Sequence, residues 1–507
     1  MVAILAAGCS ARHRRTPDDQ LVVLVEARIN NLDPRYTETV DDVKLSRLVA
    51  VGLTSGETPT LEPKLLLAES IERSDERTVD VVLRPGLRFS DGTPLTAADV
   101  AFTFQSMLDP DMASPLLRNM RDRFVRVEAL GERAVRFHLV EPLATIMSDL
   151  EFGIVSARAA GKSGRFAGGR VIGAGPLMIE SFDPEEVRLR RNRRWAFAPP
   201  RTERVRVRVV RDANARALML VGGSADLTQN TIRVDLVDDL IENPRVEMTT
   251  GPGTTLTYLM MNGRDPALRD VRVRRAIAYA IDRERVLRSK LDGRGVLATG
   301  LLPPGHWAYN PDVEVHRHDP GRAAALLDEA GYRDPDGPGG RPRLRLVYKT
   351  SSQQLRVALA RVWAAQLGEV GIEVDVQPFE FTTVFHDYKT GNYQLGSLQT
   401  AAITEPDFFF PYFNSERIPS AADPNALNRW RYSDARVDEL TELGRRTLDR
   451  ARRRAIYGEV QAIVARDVPI IPLWHENNVA VTNVDLRDFQ IYPSGSLWGL
   501  LGAVKQR

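Results

Sequence analysis

Seven histidines, one cysteine and 67 acidic side chains are the raw material for chemistry in this 507-residue chain. The histidines, His13, His138, His306, His316, His318, His386 and His475, make no HExxH pair, so the helix-borne zinc-protease arrangement is absent. His316 and His318 are spaced to share one face of a strand, but two imidazoles fill only half of a tetrahedral shell, and no metal is expected. Gly161, Lys162 and Ser163 supply the end of a Walker-type phosphate loop, yet Ser156 stands where its first glycine belongs. The glycines around Ser494 in PSGSLWG lack the strand-to-helix elbow that exposes a hydrolase nucleophile. Chance pairs among the 67 acids keep one enzymatic rival in view, a hydrolase acting in a cleft.

Cys9 is the single thiol, so neither an intrachain disulfide nor a four-cysteine metal site can form. It follows an apolar stretch and the small residues Ala6, Ala7 and Gly8, and polar sequence comes after it. Small residues let an extended segment enter a peptidase cleft, and a thiol just past the cut can be acylated. The segment resembles a bacterial lipobox, although Ala6 occupies a position where Leu is preferred and no basic stretch precedes it. Residues 1–8 therefore read as the tail of a longer signal peptide, Cys9 as a lipidation site, and residues 1–17 as remnant and tether. No other stretch approaches the roughly 18 consecutive apolar residues of a membrane span, so the body is expected to be soluble and anchored through lipid.

Arginine and lysine number 69 against 67 acids, a net charge of +2, which gives no chain-wide field for holding a nucleic acid. All but seven of the basic residues are arginine. The cluster from Arg188 to Arg194 reads as a solvated face, and the alternation of arginine and valine from Arg204 to Arg208 as the wet side of a strand. The length calls for more than one hydrophobic core, because single cores stop growing near roughly 250–300 residues.

The elements alternate between helix and strand. Leu21 to Val25 predicts a first strand, Val79 to Leu83 a half-buried one, and residues 125–127 and 135–139 a hairpin about Gly131. Thr96 with Asp99 three residues on has capping-box spacing, ahead of a helix whose apolar face carries Val100, Phe104 and Met107. Asp270 opens another helix, and Asp319-Pro320 a third that closes at Ala330-Gly331. A fourth runs from Leu355 to Leu367 and feeds a strand at Ile372 to Val376. Residues 334–343, DPDGPGGRPR, read as a surface loop. Two amphipathic helices, around Val437 and Ile456, precede an extended segment after Pro469.

Several of these segments together resemble the extracytoplasmic solute-binding proteins of the oligopeptide, dipeptide and nickel type, receptors of ABC importers. The resemblance rests on LRPGLRFSDGTPLTAADVAFTFQSMLD from Leu83, IGAGPL from Ile172, YLMMNGRDPALRDVRVRRAIAYAIDRERVL from Tyr258 and DPGRAAALLDEAGY from Asp319. PDFFFPYF from Pro406 and YSDARVDEL from Tyr432 follow in the family's order, and the match covers roughly residues 20–500. It implies an α/β, two-lobed periplasmic-binding-protein-like fold of type II with an extra insert, its lobes joined by a hinge around a ligand cleft. Lobe I would comprise residues 18–60, 170–252 and 475–507, the insert 61–169, and lobe II 253–474. It also implies a monomer, with no cofactor and no enzymatic activity, that hands a peptide or peptide-like solute to a membrane permease driven by a separate cytoplasmic ATPase. A sugar, an opine, a metal chelate or heme is the alternative solute on such a fold.

In peptide-binding members an aspartate upstream of an Asp-Pro-Asp-like motif pairs with the solute's ammonium. Here that motif is Glu405-Pro406-Asp407, and the aspartate's place falls on Ala402, whose methyl group cannot compensate a buried charge. Either the solute lacks a conventional free amino end, or another acid such as Glu405 has taken over. Trp430 and Trp474 stand near blocks that border the cleft in relatives and offer flat faces to a solute. Arg429 and Arg431 flank Trp430 within reach of an acid group on the solute, with surface exposure their default. The amide of Asn262 serves either the solute or the turn at Gly263.

Overall fold

The computed structural model describes residues 16–506 apart from 162, 167–168, 234–235, 292–293, 338–339 and 401. Cys9, with the lipidation expected there, and Lys162 lie outside the described residues.

The first strand shows why the sheet forms where it does. In β1, Gln20–Val25, every residue after the first is buried. Leu21, Val23 and Val25 pack on one side with Val205, Val207 and Leu227, while Val22 and Leu24 pack on the other with Leu220 and Leu240. A strand covered on both faces needs an unbroken apolar run rather than an alternating one. The next four strands of more than two residues, β2 (Ala68–Asp75), β3 (Thr78–Leu83), β4 (Phe124–Ala129) and β5 (Ala134–Leu139), form a separate antiparallel sheet in the order β2-β3-β5-β4. Helix Ala97–Leu108 covers it, with Phe104 set edge-on to Phe124 and Phe137. Its capping box is formed on the return side: Asp99 accepts from the Thr96 amide at 2.9 Å and from the Thr96 hydroxyl at 3.0 Å.

All the other long strands join β1 in one sheet. They are β6 (Leu177–Asp183), β7 (Glu186–Arg191), β8 (Arg204–Val209), β9 (Leu227–Gln229), β10 (Val246–Met261), β11 (Gly295–Leu297), β12 (Leu344–Ser351), β13 (Ile372–Phe379), β14 (Leu395–Thr400) and β15 (Ile470–Asn483). The order across the sheet is β13-β12-β14-β10-β15-β9-β1-β8-β7-β6, with β11 pairing to β15 off that path. β1 is parallel to both its neighbours, as is β12, and the hairpin β6-β7 and the pair β10-β15 are antiparallel.

Three regions of core accompany these sheets. One is built entirely from residues 51–174, a second from residues 256–474, and a third from residues 21–50, 155–246 and 480–503. The second and third are connected through β10 and β15, which pair from Val246↔Asn483 to Met260↔Ile470. The pairing slips between Gly251 and Thr255 and again between Thr257 and Tyr258. The divisions at 252/253 and 474/475 expected from the sequence thus fall inside two continuous strands and not in loops.

Glycine is required where backbones touch. In the IGAGPL turn a Cβ on Gly173 would lie 2.3 Å from the carbonyl oxygen of Val49, and one on Gly175 would lie 2.5 Å from that of Leu48, so the turn seats directly on the end of helix Val40–Val49. The stretch at residues 312–319 holds no strand, so the shared face expected for His316 and His318 does not exist: His316 is buried edge-on to Tyr279, and His318 faces solvent.

At the slip in register, a Cβ on Gly253 would meet the carbonyl oxygen of Glu476 at 2.1 Å. Gly253→Ala is therefore expected to force β10 and β15 apart and to lower stability by about 1–3 kcal/mol, read from urea unfolding. Gly300→Ala, where an added Cβ meets nothing within 4 Å, should be near neutral in the same measurement.

Candidate functional site

The segment from Met147 to Glu151 forms a ridge at which the 51–174 core faces the other two. On one side lies a cavity of ≈ 130 Å³, lined by Met147 and Ser148 of the ridge, Glu62, Trp307, Glu405, Arg450 and Arg453 among others. On its other side lies a smaller recess formed by Arg47, Glu57, Glu151 and Trp498 with the backbone of residues 51–55. The walls come from all three core regions, so no local stretch of sequence could assemble the site alone.

Several contacts bridge the ridge side to the 256–474 side. The Ser148 hydroxyl donates to Glu405 Oε2 at 3.1 Å, and the Ala144 amide donates to the Arg445 carbonyl at 2.8 Å. Glu62 pairs with Arg450 at 2.5 Å, and Glu141 with Arg445 at 3.4 Å. Glu405 is answered by Arg453, which also donates to the Gly444 carbonyl, and both side chains are nearly sequestered from solvent. Asp407 accepts from Tyr457 at 3.2 Å and sits 3.5 Å from Arg445, whose guanidinium lies 4.0 Å from the Phe410 ring centre. Burial pushes the carboxyls of Glu405 and Asp407 up, against the pull of Arg453 and Arg445 respectively. Trp307 presents its ring to the cavity beneath Arg450 and Arg453, at 5.2 and 5.7 Å. Its neighbour His306 is held by the Thr404 carbonyl at 3.1 Å, and burial drops its pKa to about 4, so it is a neutral strut.

In the second recess Glu57 is fully engaged: Arg47 donates at 3.0 Å, and the hydroxyls of Ser494 and Ser496 each donate at 2.7 Å. Glu151 fares less well, with Arg47 no nearer than 3.7 Å. Burial, abetted by the like charges of Glu57 and Glu405, raises its pKa to about 7. Gly56 makes room for it, since a Cβ there would lie 2.6 Å from Glu151 Oε1. Four carboxylates, Glu57, Glu62, Glu151 and Glu405, thus line the two recesses with three guanidiniums, Arg47, Arg450 and Arg453. Among the described residues no group of three or more His, Cys, Asp or Glu side chains is placed to hold a metal ion.

Of the residues singled out from the sequence, Glu405 and Asp407 belong to this seam and Ala402 lies close to it. Ala402 is exposed in a left-handed conformation, φ +57°, in the loop that leads from β14 to Glu405. The others are placed elsewhere. Asn262 spends its amide on the carbonyls of Gly391 and Tyr393 at 3.0 and 2.9 Å and its oxygen on the Arg264 amide, organising the turn. Trp430 is 1% exposed, locked among Tyr258, Tyr412 and Phe413, and Trp474 is equally buried in the core around Trp363. The surface exposure expected for Arg429 and Arg431 does not hold. Arg429 lies over the Phe385 ring at 4.9 Å, and Arg431, at φ +58°, donates to the Lys389 carbonyl across the bare face of Gly391.

Sequence reasoning missed Arg47, Glu57, Ser148, Glu151, Trp307 and Arg453. Two of them left a trace. Glu151 is an acid set in the apolar run Leu150 to Val155, and Arg453 falls on the buried stripe of helix Arg450–Asp467 with Ile456, Tyr457 and Val460.

A single sheet shared by two cores through a pair of long strands, with a smaller inserted sheet whose core meets them at a polar seam, defines a two-lobed receptor: the type II periplasmic-binding-protein fold. The chain belongs to the bacterial extracellular solute-binding proteins, family 5, whose model matches residues 62–420. It is 26% identical over 97% of its length to the "Probable D,D-dipeptide-binding periplasmic protein DdpA" of Escherichia coli, covering 95% of that protein. It is 28% identical over 93% of its length to the glutathione-binding protein GsiB of Salmonella paratyphi A, covering 92% of that protein. The solved structure of the ABC transporter substrate binding protein CtaP from Listeria monocytogenes superposes with a TM-score of 0.82 at 23% identity, over 96% of this chain and 99% of that one. Among the described residues no helix is long and apolar enough to cross a membrane.

Two predictions follow from the seam. Arg453→Met leaves Glu405 buried without a counter-ion and is expected to cost about 3–5 kcal/mol in urea unfolding, most of which the double variant Arg453→Met/Glu405→Gln should restore. The Glu151 carboxyl has its folded pKa raised from 4.5 to about 7, so the native state holds the proton longer than the unfolded chain and stability is lost as pH rises through that window. The stability of Glu151→Gln relative to the unmodified chain should accordingly improve by about 3 kcal/mol between pH 4.5 and 8.

Proposed function

We propose that this chain is the receptor of an ABC importer that encloses a peptide or peptide-like solute in the seam on either side of the Met147–Glu151 ridge and delivers it unchanged to a membrane permease. The observation that carries this reading is the seam itself: a cavity whose walls come from the 51–174 and 256–474 regions, bridged by Ser148–Glu405 and Glu62–Arg450, the second region being joined to the third core through β10 and β15. Family membership and the names of the curated relatives, which bind dipeptides and glutathione, support the solute class. Closing such a seam strips water from the solute and strengthens every polar contact to it, and a solute favours the closed form only by its difference in affinity for the two forms. In this reading lobe I comprises 18–60, 170–252 and 475–507, the insert 61–169 and lobe II 253–474, with the hinge at the register slips of β10 and β15. The receptor works as a monomer on the outer side of the cytoplasmic membrane, tethered through lipid on Cys9.

The amino end of the solute is read differently from that of an ordinary peptide. Ala402 offers no charge, and Glu405 is already neutralised by Arg453 and hydrogen-bonded to Ser148, so neither is free to receive an ammonium without breaking a buried pair. Calorimetric titration with di- to pentapeptides is expected to find binders whose affinity changes less than about threefold on N-acetylation, because no buried ion pair is lost. Loss of about a hundredfold on acetylation, in the unmodified chain and in Glu405→Gln alike, would overturn this. Mass spectrometry of the bound solute after long incubation should recover it intact, and accumulation of a cleaved product would instead establish a hydrolase.

A further inference from the structure

One charged surface takes no part in the seam. On β7 and β8 the inward side chains Val187, Leu189, Val205 and Val207 are buried, and the alternate positions carry Arg188, Arg190, Arg204, Arg206 and Arg208 on the opposite face. The antiparallel register sets Arg204 opposite Arg190, Arg206 opposite Arg188, and Arg208 opposite Glu186. Like charges directly opposed across two strands destabilise the pair, and here Glu186 and Asp19 offset part of the cost of two arginine–arginine pairs set side by side. Glu186 answers three of the five, at 2.8 Å from Arg188, 2.5 Å from Arg206 and 4.0 Å from Arg208. Asp19 lies 3.2 Å from Arg204. Arg188, Arg190 and Arg204 are exposed, and Arg206 and Arg208 about one-third so.

The chain enters the sheet at this face. Gln20, the first residue of β1, is in register with Arg204, and Asp19 just before it is the residue paired with that arginine. Asp19 stands ten positions after Cys9, a reach of at most about 35 Å when fully extended. A lipid on Cys9 would therefore hold this face within a few nanometres of the bilayer.

We propose that the arginine face of β7 and β8 docks on the anionic headgroups of the membrane outer surface and orients the receptor on it; this rests on the reading of the chain as a lipid-tethered receptor at that surface. Charge complementarity favours phosphate-bearing lipid. Guanidiniums are weakly hydrated and bind phosphate oxygens through paired N–H donors, and a flat array of five set against the two carboxylates of Glu186 and Asp19 keeps a net positive charge that suits a flat anionic surface better than a point ligand. The face lies on the sheet half opposite to β12 and β13, clear of the Ser148–Glu405 seam, so docking leaves solute entry open.

The test uses the full chain with Cys9→Ser, so that no acyl group contributes, in flotation with vesicles of phosphatidylcholine alone or of about three parts phosphatidylcholine to one of phosphatidylglycerol. Binding is expected to the anionic vesicles only, to weaken as salt is raised, and to fall about fivefold for each guanidinium removed, so about 25-fold in Arg190→Gln/Arg204→Gln. The control Arg288→Gln/Arg361→Gln, on helices of the other half of the sheet, should bind as the parent does. The unfolding midpoint of Arg190→Gln/Arg204→Gln should hold or rise, since a like-charge pair is removed; if it falls, Arg188→Gln/Arg206→Gln takes its place. Equal binding to both vesicle types, or parent-like binding by a folded double variant, overturns the proposal, and so does loss of permease binding in lipid-free detergent by the double variant, which would assign the face to a protein. Solute titration of the same variants should be unchanged, which keeps failure of the docking proposal separate from failure of the receptor reading.

Discussion

The pairing of β10 with β15 is the constraint on which the molecule depends. These strands, 16 and 14 residues long, lie more than 200 residues apart in sequence, and each contributes side chains to more than one core: Tyr258, Met260 and Ile470 to one, Val246 and Val481 to another. Two rigid cores joined by a continuous ladder cannot slide past one another without breaking backbone hydrogen bonds. They can bend where the ladder is already irregular. In the proposed closure the bending falls at the slips at Gly251/Thr255 and Thr257/Tyr258, and the close approach of Gly253 to the Glu476 carbonyl shows how tightly the chains are drawn together there.

The seam is built from charges taken out of water. A buried ion pair adds little net stability, because its Coulomb gain is offset by desolvation, but removing one member is costly. Glu405 with Arg453 and Asp407 with Arg445, all on the 256–474 side, thus act less as glue than as a means of fixing the arrangement of that one wall of the seam. The aromatic faces of Phe410, Trp307 and Tyr457 against the same guanidiniums allow the arginines to be buried without a full set of carboxylates. Glu151 remains the under-compensated member, with Arg47 no nearer than 3.7 Å.

Arginine plays three distinct parts in one chain. Inside, Arg216, Arg274 and Arg283 are buried and bind backbone carbonyls that would otherwise lack donors, as when Arg283 joins the carbonyls of Ala298, Pro472 and His316. In the seam arginines pair with acids across cores. On β7 and β8 they stand in rows. A composition with 62 arginines and seven lysines does not distinguish these uses, since a genomic bias toward arginine would produce the same totals.

Local signals determined most of the elements. The apolar run of β1, the capping pair Thr96 and Asp99, Pro320 with Gly331, and the arginine–valine alternation of β8 each specify structure through contacts within a few residues, which a sequence displays directly. The ordered blocks likewise identified the family. What the sequence could not display was anything that depends on which distant segments meet. Trp430 and Trp474 look the same in sequence whether they face a cleft or a core, and only packing against Tyr258 and Tyr412, or within the core around Trp363, decided for burial. Arg429 and Arg431 were decided the same way, by Phe385 and the bare face of Gly391. The seam brings Glu57, Ser148, Glu405, Arg453 and Ser494 together from across more than 400 positions of the chain, and a charge's partner and its desolvation are properties of that assembled neighbourhood.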